Sequence, residues 1–274
     1  MTSAEDYLQE QNLEEALAAL QQQVRSDPSN VKHRIFLFQL LSVLGQWDRA
    51  LTQLNVAGDM DAATLPTVQI YRMALQCEAL RTEIFAGKRA PLIFGEPAQW
   101  IALIINALNL SAEGKYAESQ DLRAQAYEDA PTTSGSIDGE AFTWIADADT
   151  RIGPFLECIV NGNYYWIPFN RIKKVNFDPP EDLRDMVWTP AYFTWSNGGE
   201  TVGLVPTRYC GSESNEDAKI QLSKKTDWID NGEDVYFGIG QRMLTTDSGD
   251  YSLMDIREIQ FDTESEGESD SSKE

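Results

Sequence analysis

The chain has 274 residues, 42% of them hydrophobic, with 44 acidic against 22 basic side chains and a net charge of −22. That length supplies one or two hydrophobic cores. Its charge excludes a nucleic-acid surface, which needs a basic footprint, and anchoring to anionic lipid, but suits basic protein partners.

The start, "MTSAEDYLQEQ", has no cationic stretch followed by an apolar run, so no signal peptide is expected. Next, "NLEEALAALQQQVRSDPSN" (12–30) and "QWDRALTQLNVAGDMDAAT" (46–64) superimpose. Leu13 falls on Trp47, Ala16 on Ala50, Leu17 on Leu51, Leu20 on Leu54 and Asp27 on Asp61, each pair 34 residues apart. A further copy, "GKYAESQDLRAQAYEDAPTT" (114–133), places Tyr116 on Trp47 and Asp129 on Asp61. A period of 34 is that of the tetratricopeptide helix–turn–helix unit. A bulky residue, a small Ala three positions on and then Leu lay one apolar stripe along a helix. "SDPSN" and "DAPTT" stop one helix and open the next.

The apolar stretch Arg34–Leu44 is therefore read as the inner helix of the second unit, Gly45 as the turn, and Trp47–Ala57 as the outer helix. A long helix is expected over about 66–86. The irregular "GKRAPLIFGEP" follows, where the usual second helix is missing, and helix resumes over Glu96–Glu113. The apolar run "WIALIINAL" at 100–108 is too short to span a bilayer. Residues 1–131 thus form a degenerate helical solenoid, a shape that presents a concave face to a peptide.

Past Pro131 the texture changes. "TTSGSIDGE" is a linker, followed by short runs rich in Val, Ile, Tyr, Phe and Trp. These are "AFTWIA" (141–146), "PFLECIV" (154–160), "NYYWIPF" (163–169), "RIKKVNF" (171–177), "MVWTPAYFTWS" (186–196) and "TVGLVPTRY" (201–209). Two closing strands around "DSGD" are read over 234–261. The expected class is α+β with two domains, a TPR-like solenoid (1–131) and a compact, barrel-like, mostly-β domain (132–261). A disordered acidic tail (262–274) completes the chain. The second half is the more acidic, at net −15 against −7.

Catalytic and metal signals are weak. The single histidine, His33, would have to serve any Ser–His–Asp or Cys–His mechanism and reads as a packing residue. "DADTRIG" (147–153) puts Arg151 where a calcium loop needs an oxygen ligand, so it is read as a turn between strands. "GIGQRM" (238–243) has Met243 in place of the third glycine of a dinucleotide fingerprint. Cys77, Cys158 and Cys210 are scattered, which argues against a disulfide framework or zinc site and for a reducing cytoplasm. No metal and no cofactor is expected, and a two-carboxylate enzyme is the weaker alternative.

With these pieces assembled, the chain resembles the ImpE/SciE (TagJ) family of type VI secretion accessory proteins. The resemblance is carried by "HRIFLFQLLSVLGQWDRALTQL" (33–54), "GSIDGEAFTWIADADTRIGP" (135–154), "NGNYYWIPF" (161–169), "TWSNGGETVGLVPTRY" (194–209) and "GIGQRMLTTDSGDY" (238–251), in that order. It implies a non-catalytic adaptor that binds the N-terminal segment of the small contractile-sheath subunit. It further implies a link from sheath to the ClpV-type AAA+ ATPase that dismantles it. No family binding residue is carried over. The residue reading places a partner helix on the inner helices of the solenoid, with Arg34, Phe38, Gln39, Tyr71, Arg72 and Leu75 as candidates. Tyr164 and Trp166, on one face of their strand, are candidates for a second contact. A general peptide-binding chaperone and a self-assembling scaffold are the other readings.

Overall fold

The computed structural model describes residues 3–96 and 98–263. Seven helices come first: α1 (Ala4–Gln9), α2 (Leu13–Ser26), α3 (Val31–Val43), α4 (Trp47–Met60), α5 (Leu65–Phe85), α6 (Gln99–Ala112) and α7 (Tyr116–Asp129). The repeat read in the sequence is realised as geometry, since α2, α4 and α7 each have 14 residues and begin on the aligned Leu13, Trp47 and Tyr116. The "SDPSN" punctuation works as its chemistry demands. Asp27 closes α2, and Asn30 opens α3 by accepting from the Lys32 amide at 3.1 Å. Gly45, at φ +65°, turns α3 into α4.

Strand β1 (Leu92–Ile93) lies between α5 and α6, and β2 (Gly135–Ile137), β3 (Glu140–Phe142), β4 (Ile145–Asp147), β5 (Phe155–Val160), β6 (Asn163–Pro168), β7 (Ile172–Phe177), β8 (Trp188–Trp195) and β9 (Glu200–Pro206) follow α7. A short helix, α8 (Ala218–Gln221), leads to β10 (Thr226–Asp230), β11 (Tyr236–Gly240), β12 (Met243–Thr246), β13 (Asp250–Ser252) and β14 (Glu258–Phe261). The main sheet runs β1-β6-β5-β9-β8-β7-β14-β2-β3, with a three-stranded sheet β13-β12-β4 and a hairpin β10-β11 beside it. The nine-strand ladder has two ends, so it does not close on itself by backbone pairing as a barrel would. Leu156, Ile167, Val175 and Phe193 on one face of the sheet share an apolar core with Ile145 and Leu244 of the small sheet.

Where the repeat lacks its helix, the chain does something else. After Gly87 (φ +69°) it leaves the helical layer, and β1 joins the main sheet parallel to β6, pairing Leu92 with Tyr165 and Ile93 with Trp166. Phe94 then packs 4.4 Å from Trp195, ring to ring. The solenoid is thereby tied into the sheet at its midpoint.

The second core is continuous across the two halves of the sequence. It joins Phe38, Leu41, Tyr71, Leu75, Ile84 and Trp100 of the helices to Phe155, Tyr164, Trp166, Val187, Trp188 and Tyr209 of the β region. Fully burying one such side chain contributes about 1.5–3 kcal/mol, so this seam is a major part of the stability. Asp262, the first residue of the acidic tail, is held to Ser134 by its amide at 3.0 Å and its carboxylate at 2.9 Å. From Glu264 onward the expected tail lies outside the described residues.

Candidate functional site: the helix–sheet seam and the grooves it leaves open

The inner helices α3 and α5 carry most of the residues expected to hold a partner, and the structure turns that face onto the chain's own β strands. Phe38 is fully buried, with its ring 5.8 Å from Tyr71, which in turn lies 5.8 Å from Trp188 of β8. Leu75 and Gln39 are also buried at the level of their side chains as a whole. Tyr164 and Trp166 have no exposure at all. The alternation puts them on one face of β6 as expected, but that face lies under the helices, with Trp166 5.9 Å from Phe85 and 5.5 Å from Phe155. The other face of β6, Tyr165 and Ile167, packs into the apolar core between the main sheet and the small sheet. Both faces of β6 are therefore spoken for within the chain, and Phe38, Tyr164 and Trp166 present no surface to a partner and Tyr71 only 5% of its own. Arg34 and Arg72 remain outside. Arg34 donates to Pro28 O and to Gln53 Oε1 at 3.1 Å, and Arg72 donates to Asn55 Oδ1 at 2.8 Å.

The seam is built around charge. Glu157 on β5 accepts from Arg81 Nε at 2.6 Å and Arg81 Nη2 at 3.1 Å, and also from Arg242 and the Tyr164 hydroxyl. Arg242 continues to Asp147, and Arg81 to Glu78 at 3.4 Å. The Trp188 indole donates to Glu78 Oε1 at 2.8 Å. Burial would raise the Glu157 carboxyl, but the Arg242 and Arg81 guanidinium groups overcome it and hold it at about 2. Arg208 adds a separate tie by donating to the carbonyls of Ser42 (3.0 Å) and Val43 (2.7 Å). Those carbonyls close α3, where a cation also meets the negative end of the helix dipole.

Asp147 behaves in the opposite sense. Burial, opposed by Arg242 and assisted by Asp149, pushes its carboxyl up to about 7. Its folded-state proton affinity thus exceeds that of an unfolded Asp, near 3.9. Between those two values the folded protein holds a proton that the unfolded chain has lost, so this group lowers stability as pH rises from about 4 to 7. In chemical denaturation at pH 5 and pH 7.5, Asp147→Asn is expected to lose the wild-type decline associated with this group. An identical pH slope in both proteins would show that Asp147 is ionised throughout.

This network is sealed, so its chemistry is structural. Among the described residues no cluster of three or more His, Cys, Asp or Glu is placed to hold a metal ion. "DADTRIG" forms the turn between β4 and β5, with Arg151 Nε donating to Asp149 Oδ1 at 2.9 Å where a cation would sit. "GIGQRM" carries β11 into Arg242. Its Gly238 is required because a Cβ there would lie 2.3 Å from the Tyr209 ring. What the sequence missed were the buried acids themselves. Glu157 sits in an otherwise apolar strand run, "PFLECIV", and that lone charge was the available signal.

Among the hollows on the helical surface, two are lined in part by residues expected to hold a partner. One of about 630 Å³ lies between α4 and α5, lined by Trp47, Arg49, Leu51, Leu75, Gln76 and Ala79. The other, about 700 Å³, is bordered by Lys32, Ile35, Phe36, Gln39 and Asp61. Leu75 and Gln39 thus each line an open hollow although most of the side chain is covered.

Comparison with known proteins fits this architecture. A tetratricopeptide repeat family matches residues 7–69, and the ImpE protein family matches residues 139–260. The type VI secretion system accessory component TagJ of Pseudomonas aeruginosa is 50% identical over 259 residues, covering 94% of this chain and 91% of that protein. The chain belongs to the ImpE/TagJ family. Its fold matches the crystal structure of protein VPA1032 from Vibrio parahaemolyticus, with a TM-score of 0.86 over 95% of this chain and 98% of the other, at 23% identity. Membership of the ImpE/TagJ family makes the chain an accessory component of type VI secretion. Among its described residues no helix is long and apolar enough to cross a membrane.

Proposed function

We propose that the protein is a non-catalytic cytoplasmic adaptor that binds the N-terminal segment of the small sheath subunit of a type VI secretion system. In this reading it links the sheath to the ClpV-type AAA+ disassembly ATPase. The observation that carries it is the 50% identity to TagJ over nearly the whole chain. The partner helix is assigned to the α4–α5 groove. That groove mixes apolar lining residues (Leu51, Leu75, Ala79) with polar ones (Gln46, Asp48, Arg49, Gln76), a lining suited to an amphipathic helix. Arg72 lies on the same stretch of α5, one turn before Gln76, and is exposed.

The test uses the full chain, because the seam makes each half depend on the other. Ala79→Arg and Gln76→Arg place charge on exposed positions of α5 and are expected to leave the melting transition unchanged. Each is expected to weaken capture of the intact small sheath subunit by at least about tenfold. Deleting the subunit's N-terminal segment abolishes capture. Light scattering of the mixture with the ATPase then gives a ternary mass. Unchanged capture by both variants moves the helix off this groove. Equal binding of unrelated amphipathic helices favours the general chaperone reading.

A further inference from the structure

The β10–β11 hairpin lies at the margin of the helix–sheet core, with Trp228 5.8 Å from the Tyr209 ring, and is asymmetric in how its edges are used. β11 is occupied on both sides. Towards β10 it forms the antiparallel ladder from Thr226–Gly240 to Asp230–Tyr236. Towards the body, Tyr236 O accepts from the Thr150 amide at 3.1 Å, Gly238 N donates to Asp149 Oδ2 at 2.9 Å, and Gly240 O accepts from the Tyr209 amide at 2.9 Å. Among the described residues β10 pairs with β11 alone.

The register shows which backbone groups of β10 are open. Gln241 N donates to Lys225 O at 2.9 Å and Asn231 N to Val235 O at 3.0 Å. In an antiparallel ladder hydrogen-bonded and non-bonded pairs alternate. Residues 225, 227, 229 and 231 therefore point their amides and carbonyls at β11, and Thr226, Trp228 and Asp230 point theirs away. The Trp228 amide is met only by its neighbour's side chain, Asp227 Oδ1, at 3.0 Å. A strand edge left in this state is a template for another strand.

We propose that β10 takes up an extended, basic segment of a partner protein as a third strand of this hairpin sheet. Charge selects that occupant. Asp230, Glu233 and Asp234 at the turn end of β10 are exposed, as is Asp227 on the other side of Trp228 and Ile229, where it also meets Lys225 Nζ at 3.0 Å. Trp228 and Ile229 keep 39% and 49% of their surface in water, and Tyr236 across the hairpin keeps 40%. The matching segment has two apolar residues between Lys or Arg side chains, with backbone bonds giving affinity and the acids giving sign. The chain's own stretch 264–274, "ESEGESDSSKE", has the wrong sign to fill this edge, and a second copy at net −22 is repelled. The ends of the main sheet offer no rival, because β1 and β3 are only two and three residues long. This surface is separate from the α4–α5 groove and does not depend on it.

The test is a fluorescent ten-residue peptide with a Lys-Val-Ile-Lys core, titrated against the full chain at physiological salt. Three controls accompany it: a version with Glu for Lys, a version N-methylated at alternate residues, and the Asp227→Lys/Asp230→Lys protein. Saturable binding is expected, lost with the Glu peptide. It is expected to weaken at least about tenfold with the N-methylated peptide and with the double variant. Amide hydrogen exchange adds a backbone readout, with Trp228 and Asp230 slowing on binding while Asp227 and Ile229 are protected beforehand. The Ala79→Arg variant is expected to bind the peptide as wild type does, which separates this surface from the groove. No binding, equal binding of the N-methylated peptide, or exchange unchanged at Trp228 and Asp230 would each overturn the proposal.

Discussion

Glu157→Gln is expected to lower the unfolding free energy by about 3–5 kcal/mol and the melting temperature by about 10 °C. The substitution keeps the side chain's shape and removes its charge. In the folded protein Glu157 accepts from Arg81, Arg242 and Tyr164 with no exposure to water. A glutamine amide would turn a donor towards guanidinium donors and leave two buried cations short of an anion. Arg81 would keep Glu78 and the Arg208 carbonyl (2.8 Å), and Arg242 would keep Asp147 and the Pro206 carbonyl (2.9 Å). The pH dependence gives a second reading of the same group. Its carboxyl, at about 2 when folded, lies below the unfolded value near 4.3. The unfolded chain therefore binds the extra proton between those values, and Glu157's contribution is present above about pH 4 and lost as pH falls towards 2. Guanidinium denaturation at pH 7 measures the first effect, and acid titration of wild type and variant the second. A loss below about 1 kcal/mol would mean that the network exchanges with water, against its complete burial.

Much of this fold is legible in the sequence, and the parts that are not share one cause. The 34-residue period fixes where α2, α4 and α7 begin because the stripe of a bulky residue, Ala and Leu is a local property of a helix. The strand runs from 154 to 209 emerge as β5 to β9 within about three residues, since alternation and turn residues are local too. What periodicity cannot express is what an element packs against. "VKHRIFLFQLLSV" has apolar residues all round, and the same pattern serves a face awaiting a peptide or one covered by Trp188. The structure chooses the latter. "GKRAPLIFGEP" breaks the helical period, and only its pairing with β6 explains why. β10, "TDWID", is acidic and half apolar without clean alternation, so its strand is set by its partner β11. Of the candidates read in the sequence only Leu75 lines the groove between α4 and α5, because that groove is formed where Trp47 and Leu51 of one helix meet Gln76 and Ala79 of the next.

Expressed separately, residues 1–131 and 132–274 are expected to fail to fold cooperatively, a larger loss than any single substitution. Dividing the chain at Pro131 leaves Phe38, Tyr71, Ile84 and Trp100 of the helices facing water in place of Trp188, Trp166 and Phe155. It strands Arg81 without Glu157, and it removes Arg208 from the carbonyls that close α3. On the other side it strips β1 from β6 and exposes Tyr164 and Trp166. A contiguous apolar surface of that kind drives aggregation or a loosely packed state. Far-ultraviolet and near-ultraviolet circular dichroism on each half, and on the two halves mixed, checks the expectation. Helical signal without fixed aromatic signal in the 1–131 piece, restored when the halves are mixed, is the expected pattern. A sharp melting transition with native aromatic signal in 1–131 alone would make the solenoid self-sufficient and the seam a docking contact. That outcome would also free Phe38 and Tyr71 to meet a partner, so the same experiment decides whether the inner face of the repeats is core or binding surface.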